Sequence, residues 1–244
     1  MRKRAPLQDG TLISFKTDTF KLIEVEEVHM YDEYYAKSGQ VGLVCALQHK
    51  QTNECLVIGS THLAFNPYRG DWKLHQAVHL MATINDVVKR ISNGCAVIVC
   101  GDMNSAPNSP MHQYFVDPRG VDFSSIKAKD VSGQPSPGES HYRSLLGLVI
   151  SWIKYFVNRF RHGQAGEMNI EPNNLRRAGF ELDSTFASRY YKESEERSYS
   201  IISNKMELKS AYDNKQPTTV LSYGQQCVDY VFYNPHLTVS SIQV

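Results

Sequence analysis

Asp102 and Asn104 close the apolar run Cys95-Ala-Val-Ile-Val-Cys100, in Gly101-Asp102-Met103-Asn104. On an extended segment, residues two apart face the same way. A carboxylate and an amide are therefore expected side by side. An acidic acceptor beside a neutral amide suits a hard cation, a phosphate and an attacking water together. The plain alternative is an Asp that caps the turn after the strand. His62 ends a second segment, Glu54 to Pro67, and a lone His after a strand is more often structural than catalytic. Asp229, in Gln226-Cys-Val-Asp229-Tyr-Val-Phe-Tyr233, puts a charge inside a third apolar segment. Such a charge is costly unless it is paired or binds something. Taken singly each feature has a structural explanation; the three together point to chemistry.

The elements that must carry these residues are read from period and punctuation. Cys95 to Cys100, between Gly94 and Gly101, has the form of a buried strand. Thr11 to Lys16, Phe20 to Val28 and Gln40 to Gln48 are also predicted strands. From Trp72 to Ile91, Leu74, Ala77, Val78, Met81, Ile84, Val88 and Ile91 recur every three or four residues, the period of an amphipathic helix. Asp71 is placed to cap its start and Gly94 follows its end. His75 and His79 lie one turn apart, a spacing that zinc-binding helices use. The Glu of that motif is absent and no third ligand is evident, so both are expected at the surface or an interface.

The most hydrophobic run, Leu145 to Phe160, is too short for a membrane span and is interrupted by Lys154. A helix packed on the domain, or an insert, is the expectation. A helix lying on a membrane is the alternative, because Arg159, Arg161 and His162 follow it. Its flanks, Ser132 to Gly138 and Glu193 to Ser198, have loop composition, and no internal repeat is present.

At 244 residues and 41% hydrophobic, the chain is long enough for one sizeable core. Its 26 Lys and Arg against 25 Asp and Glu exclude a global basic field. Nucleic-acid binding would have to rest on a local patch or a metal. Cys45, Cys55, Cys95, Cys100 and Cys227 sit in or beside apolar segments without C-x-x-C spacing. They read as reduced core residues, which points to the cytoplasm, with nucleus and mitochondrion as alternatives. Met-Arg-Lys-Arg-Ala-Pro at the start is followed by no apolar run, so no signal peptide is visible.

Several longer stretches carry a family resemblance. They are Ser60-Thr-His-Leu-Ala-Phe-Asn-Pro-Tyr-Arg-Gly-Asp-Trp-Lys-Leu-His-Gln76, Val99-Cys-Gly-Asp-Met-Asn-Ser-Ala-Pro-Asn-Ser-Pro110, Leu208-Lys-Ser-Ala-Tyr212 and Val228-Asp-Tyr-Val-Phe-Tyr233. In that order, and with Asp9-Gly10, Phe15, Phe20 and Val41-Gly-Leu-Val44, they resemble the endonuclease/exonuclease/phosphatase superfamily. Within it the chain is most like the Angel proteins of the deadenylase-related branch, with nocturnin-like deadenylases next. The resemblance covers about residues 5 to 116 and 205 to 234; a variable insert falls at about 117–200.

The resemblance implies an α/β fold, a DNase I-like two-sheet β-sandwich flanked by helices. It implies hydrolysis at an RNA 3′ end with Mg²⁺ or Mn²⁺, in the manner of a deadenylase-like 3′-to-5′ exoribonuclease. An RNA 2′,3′-cyclic phosphatase, or a non-catalytic RNA- or protein-binding remnant, are the alternatives. The implied partner is an RNA 3′ end, poly(A) among the candidates, with no DNA, no membrane, and protein partners reached through the insert. By matching motif, Asp102 would activate water and could ligate the metal, Asn104 would hold that water and a phosphate oxygen, and His62 would stabilise developing charge. Asp229 would orient a final catalytic histidine, and Phe65 and Pro67 would lie against the terminal base. Two family features are missing: the metal-ligating Glu of a Leu-Gln-Glu strand, which Leu7-Gln8-Asp9 does not match, and a final Ser-Asp-His, whose context His236 lacks. One partial domain over 1–244, incomplete at both ends and with little catalysis by itself, is the resulting expectation.

Overall fold

The computed structural model describes residues 2–3, 10–30, 40–67, 69–91, 94–123, 126–134, 201–204, 206–211, 217–221 and 224–240. The strands are β1 Arg2–Lys3, β2 Gly10–Thr11, β3 Phe20–His29, β4 Val41–His49, β5 Cys55–His62, β6 Ala96–Asp102, β7 Val121–Asp122, β8 Ile201–Ile202, β9 Lys209–Ser210, β10 Thr219–Leu221, β11 Gly224–Gln226 and β12 Asp229–Tyr233. The helices are α1 Gly70–Ile91, α2 Pro110–Val116 and α3 Ala128–Val131.

A six-stranded sheet in the order β3-β4-β5-β6-β12-β9 organises these elements. β3, β4 and β5 form an antiparallel meander. β5 and β6 are parallel, and α1 is the crossover such a pair requires. β12 then pairs antiparallel with β6, and β9 closes the far edge. The remaining strands make three two-stranded ladders: β1-β2, β7-β8 and β10-β11. Among the described residues there is one large sheet with three small ladders beside it, and the second large sheet of the expected sandwich is not among them.

Register sorts the strands into two faces, because side chains alternate. Val44, Ala46, Val57, Val97, Val99, Tyr230 and Phe232 turn one way and pack against Ala77, Leu80, Met81 and Ile84 of α1 and Phe115 of α2. The approach is close enough that a Cβ on Gly59 would lie 2.5 Å from Ile84 Cδ1. Phe115 stacks on Phe232 at 4.8 Å. Arg90, near the end of α1, pairs with Glu24 and Glu26 of β3 and fastens the helix to the sheet edge.

The strands at 20–28, 40–48 and 95–100 and the helix at 72–91 all form, each within a residue or two of the expected bounds. Thr11 to Lys16 does not become a strand: only Gly10–Thr11 pairs, with β1, and residues 12–16 join no ladder among the described residues. Alternating apolar residues make a strand only when a ladder is available. Asp71 lies within the first turn of α1, which already begins at Gly70, and not ahead of it. His75 is in the core and not on the surface, and His79 is largely covered. Their rings meet at 4.5 Å, and burial lowers their pKa values to about 2 and about 4 respectively, so both are neutral imidazoles. The five cysteines are free thiols. The expectations for 145–160 and 193–198, and for most of 117–200, lie outside the described residues; Val121, Phe123 and Val131 from its start are core residues. Among the described residues no helix is long and apolar enough to cross a membrane.

Candidate active site

The parallel pairing sets the site. β5 and β6 end together, with His62 directly beside Asp102, at the carboxyl ends where open sheets present their chemistry. β12 enters from the same end in the opposite direction and places Asp229 beside Asp102. His62, Asp102 and Asp229 thus form a row across three adjacent strands, on the face turned away from α1. His62 Nε2 lies 3.5 Å from Asp102 Oδ2, with the imidazole half exposed and the carboxylate a quarter exposed.

Backbone chemistry shapes the row. Gly101 takes φ +139°, and a Cβ there would lie 1.9 Å from the Thr61 carbonyl oxygen, so only glycine lets β6 approach β5 here. Leu63 N–H donates to the Asp102 carbonyl (2.9 Å) and Met103 N–H to the Val228 carbonyl (2.8 Å), joining all three strand ends. Burial raises the Asp102 pKa above the usual carboxylate value. The N–H of Asn104 opposes the rise, neighbouring Asp229 adds to it, and His62 and Lys73 oppose it.

Asn104 does not stand beside Asp102 as the alternation argument expects. The strand stops at Asp102, and Asn104 adopts φ +46°, a conformation Asn tolerates. Its N–H donates to Asp102 Oδ1 at 2.8 Å, so Asp102 caps the turn as well as facing the site. The Asn104 amide is only 3% exposed, and Nδ2 donates to the Leu63 carbonyl at 2.9 Å. It braces the strand ends from beneath. The structure therefore unites His62, Asp102 and Asp229 on one surface and sets Asn104 behind them.

Further residues that sequence reasoning missed hold this arrangement. Lys73, fully buried, donates from Nζ to the Asn104 carbonyl at 2.7 Å and to Gln134 Oε1. Burial pushes its pKa down to about 7, with Asp102 pulling the other way. Gln76 Oε1 accepts from Ala64 N–H at 2.9 Å. Thr218 Oγ1 accepts from the N–H groups of Val228 and Asp229, and Thr219 Oγ1 donates to Asp229 Oδ2 at 3.2 Å. Tyr230 Oη donates to the Ser105 and Cys227 carbonyls. A signal existed for Lys73: it precedes Ala77, Leu80 and Ile84 on the buried stripe of α1, where a lysine is out of place. For the threonines the sequence offered none. Phe65 stands 57% exposed just past His62, and Pro67 is half-buried in the same loop.

Mg²⁺ is bound through about one or two carboxylates together with substrate phosphates and water. Asp102 beside Asp229 meets that demand, and a divalent cation would offset both the burial that chiefly raises Asp102 and the Asp229 charge that adds to the rise. Among the described residues no three His, Cys, Asp or Glu side chains converge as a metal set.

A mixed sheet covered by helices on one face, with a His-Asp-Asp row at its strand ends, is an α/β architecture of the DNase I-like type. The family model for the Endonuclease/Exonuclease/phosphatase family matches residues 65–244, and the chain belongs to that family. It is 36% identical over 132 residues to protein angel homolog 2 of Bos taurus, covering 52% of this chain and 24% of that protein. It is 33% identical over 153 residues to human protein angel homolog 1, covering 57% and 22%. The crystal structure of ANGEL2, a 2′,3′-cyclic phosphatase, superimposes with a TM-score of 0.64 at 26% identity, covering 91% of this chain and 57% of that one. The chain thus spans less than two thirds of the length of these relatives. Kinship with the Angel proteins, which the residue motifs imply, is supported by both kinds of comparison.

Proposed function

We propose that the chain carries the site of a Mg²⁺- or Mn²⁺-dependent hydrolase of phosphate esters at RNA 3′ ends. The observation that carries this reading is the His62–Asp102–Asp229 row on one open face. Asp102 accepts a proton from water as the water oxygen bonds to phosphorus. The ester P–O bond breaks, and the departing oxygen takes up a proton. His62 is the donor facing the charge that builds on the phosphoryl oxygens. Asp229, held by Thr218 and Thr219, keeps the far side of Asp102 negative and fixed. Asn104 holds the two strand ends at their spacing. A divalent cation, which Asp102 would hold, supplies neutralisation of phosphate charge. Phe65 offers an exposed ring against which a terminal base stacks, with Pro67 stiffening the loop.

A 2′,3′-cyclic phosphate end is the favoured substrate, because ANGEL2 carries that activity and has been seen with adenosine-2′,3′-vanadate. The second reading, 3′-to-5′ removal of nucleotides including poly(A), rests on the resemblance of the sequence motifs to the deadenylase-related branch. An RNA ending in a 2′,3′-cyclic phosphate and one ending in poly(A) with a free hydroxyl, each with Mg²⁺ or with chelator, separate the two. Full-length RNA stripped of its phosphate supports the first, released mononucleotides the second. Binding of either RNA without turnover supports a non-catalytic module, and neither binding nor turnover overturns the proposal. A cytoplasmic location is part of the same proposal, on the strength of the five reduced cysteines.

A further inference from the structure

We propose that Lys73, acting with Gln134, is a positioning residue that locks Asn104 and thereby fixes the distance between the strand ends bearing His62 and Asp102. A lysine normally carries its ammonium to water along a flexible four-carbon stem. Lys73 does not: the whole side chain is buried, at a desolvation cost a surface lysine never meets. The bonds shown for its ammonium both lead to Asn104. Nζ donates directly to the Asn104 carbonyl at 2.7 Å, and it also holds Gln134 Oε1. The other end of the Gln134 amide reaches Asn104 Oδ1 at 3.4 Å. Asn104 in turn grips Leu63, the residue after His62, through Nδ2, and Asp102 through its own N–H. A continuous chain of bonds therefore runs from the buried stripe of α1 to both halves of the site. Its central residue sits at φ +46°, a left-handed conformation that few residues besides Gly and Asn adopt.

A lysine that served only to fill the core would be replaced without loss by a methionine of similar length. A clamp would not. Displacement of about 1 Å at a reacting centre is enough to cost about a hundredfold in rate. The role in catalysis rests on the reading of this surface as a phosphate-ester site; the clamp itself does not.

The test uses the full chain and the variants Lys73→Met and Gln134→Leu. Three quantities are read: kcat and KM on the two RNAs above, the thermal midpoint, and hydrogen exchange at the backbone amides of 103–106 against those of 77–87. The expected result for Lys73→Met is a kcat lowered about tenfold or more with KM within about twofold. Exchange at Asn104 quickens about tenfold, residues 77–87 stay as protected as before, and the midpoint is unchanged or higher, since a buried charge has gone. Gln134→Leu reproduces the pattern at smaller amplitude and guards against a folding defect in the first variant. Exchange at 103–106 that stays unchanged in both variants overturns the clamp. So does loosening that spreads equally through 77–87, which would make Lys73 an ordinary core residue. If the wild-type chain acts on neither RNA, the functional reading fails while the exchange data still decide the clamp.

Discussion

Phe232 and Val231 are neighbours on one strand and belong to different worlds. Phe232 faces α1 and α2 and is wholly covered; Val231 faces the other way and keeps 37% of its surface. The same division runs along β6, whereas β4 is buried on both faces, with Leu43, Cys45 and Leu47 covered on the side away from α1. On the helix-covered face lie Val44, Val57, Val97 and Val99, packed without access to water. On the opposite face the same strands end in His62, Asp102 and Asp229, and Leu22 and Val25 of β3 are exposed. One face is chosen by the hydrophobic effect. The other keeps polar groups near water, where a charged ligand can reach them. The strands carry stability and chemistry at once by alternating between them.

Core substitution breaks this contrast most severely. Phe232→Ala should cost about 3–5 kcal/mol of unfolding free energy, and Val231→Ala less than about 1 kcal/mol, read from paired urea titrations. Equal losses would mean that the faces are not distinct. At the row itself the order reverses. Asp102→Asn keeps an acceptor for Asn104 N–H but removes a crowded carboxylate, so hydrolysis should fall about a hundredfold or more. Stability should stay within about 1 kcal/mol of wild type or rise. A large stability loss would make Asp102 a structural cap and nothing more.

Acid should also strike the covered face through its histidines. His75 and His79 have folded pKa values of about 2 and about 4, below the usual 6.5. The unfolded chain therefore binds protons that the folded one refuses. Their contribution is complete above pH 6.5 and is lost as the pH falls toward 4, then toward 2. The slope is about 1.4 kcal/mol per pH unit for each histidine. Chemical denaturation from pH 7 to pH 4, with His75→Leu as the control, measures it; an identical acid limb in the variant would contradict the assignment. The mildest perturbation is Phe65→Ala in the exposed loop. Stability should be unchanged within about 0.5 kcal/mol, while RNA-end affinity drops by about 1–3 kcal/mol. Filter binding that detects no weakening would remove Phe65 from the site.

The legibility of the molecule divides along similar lines. The strands at 20–28, 40–48 and 95–100 and the helix at 72–91 were readable, since each is long enough for its period to show. So were His62, Asp102 and Asp229, because polar groups that interrupt or end apolar runs stand out. The segment 11–16 misled, for alternation cannot reveal whether a partner strand exists. His75 and His79 misled because polarity suggests exposure, whereas neutral imidazoles can be buried among the rings and aliphatics of a helix stripe.

The sequence by itself determined the family, through motifs that resemble it, and the strands and the residues at their ends, since those follow from local period and composition. Only the tertiary structure decided that Asn104 turns inward at φ +46°, that Lys73 gives up its water to hold it, and that Thr218 and Thr219 secure Asp229. Those bonds join residues 10 to 31 positions apart. Whether such groups meet depends on how the strands register, a property of the assembled sheet that no single segment encodes.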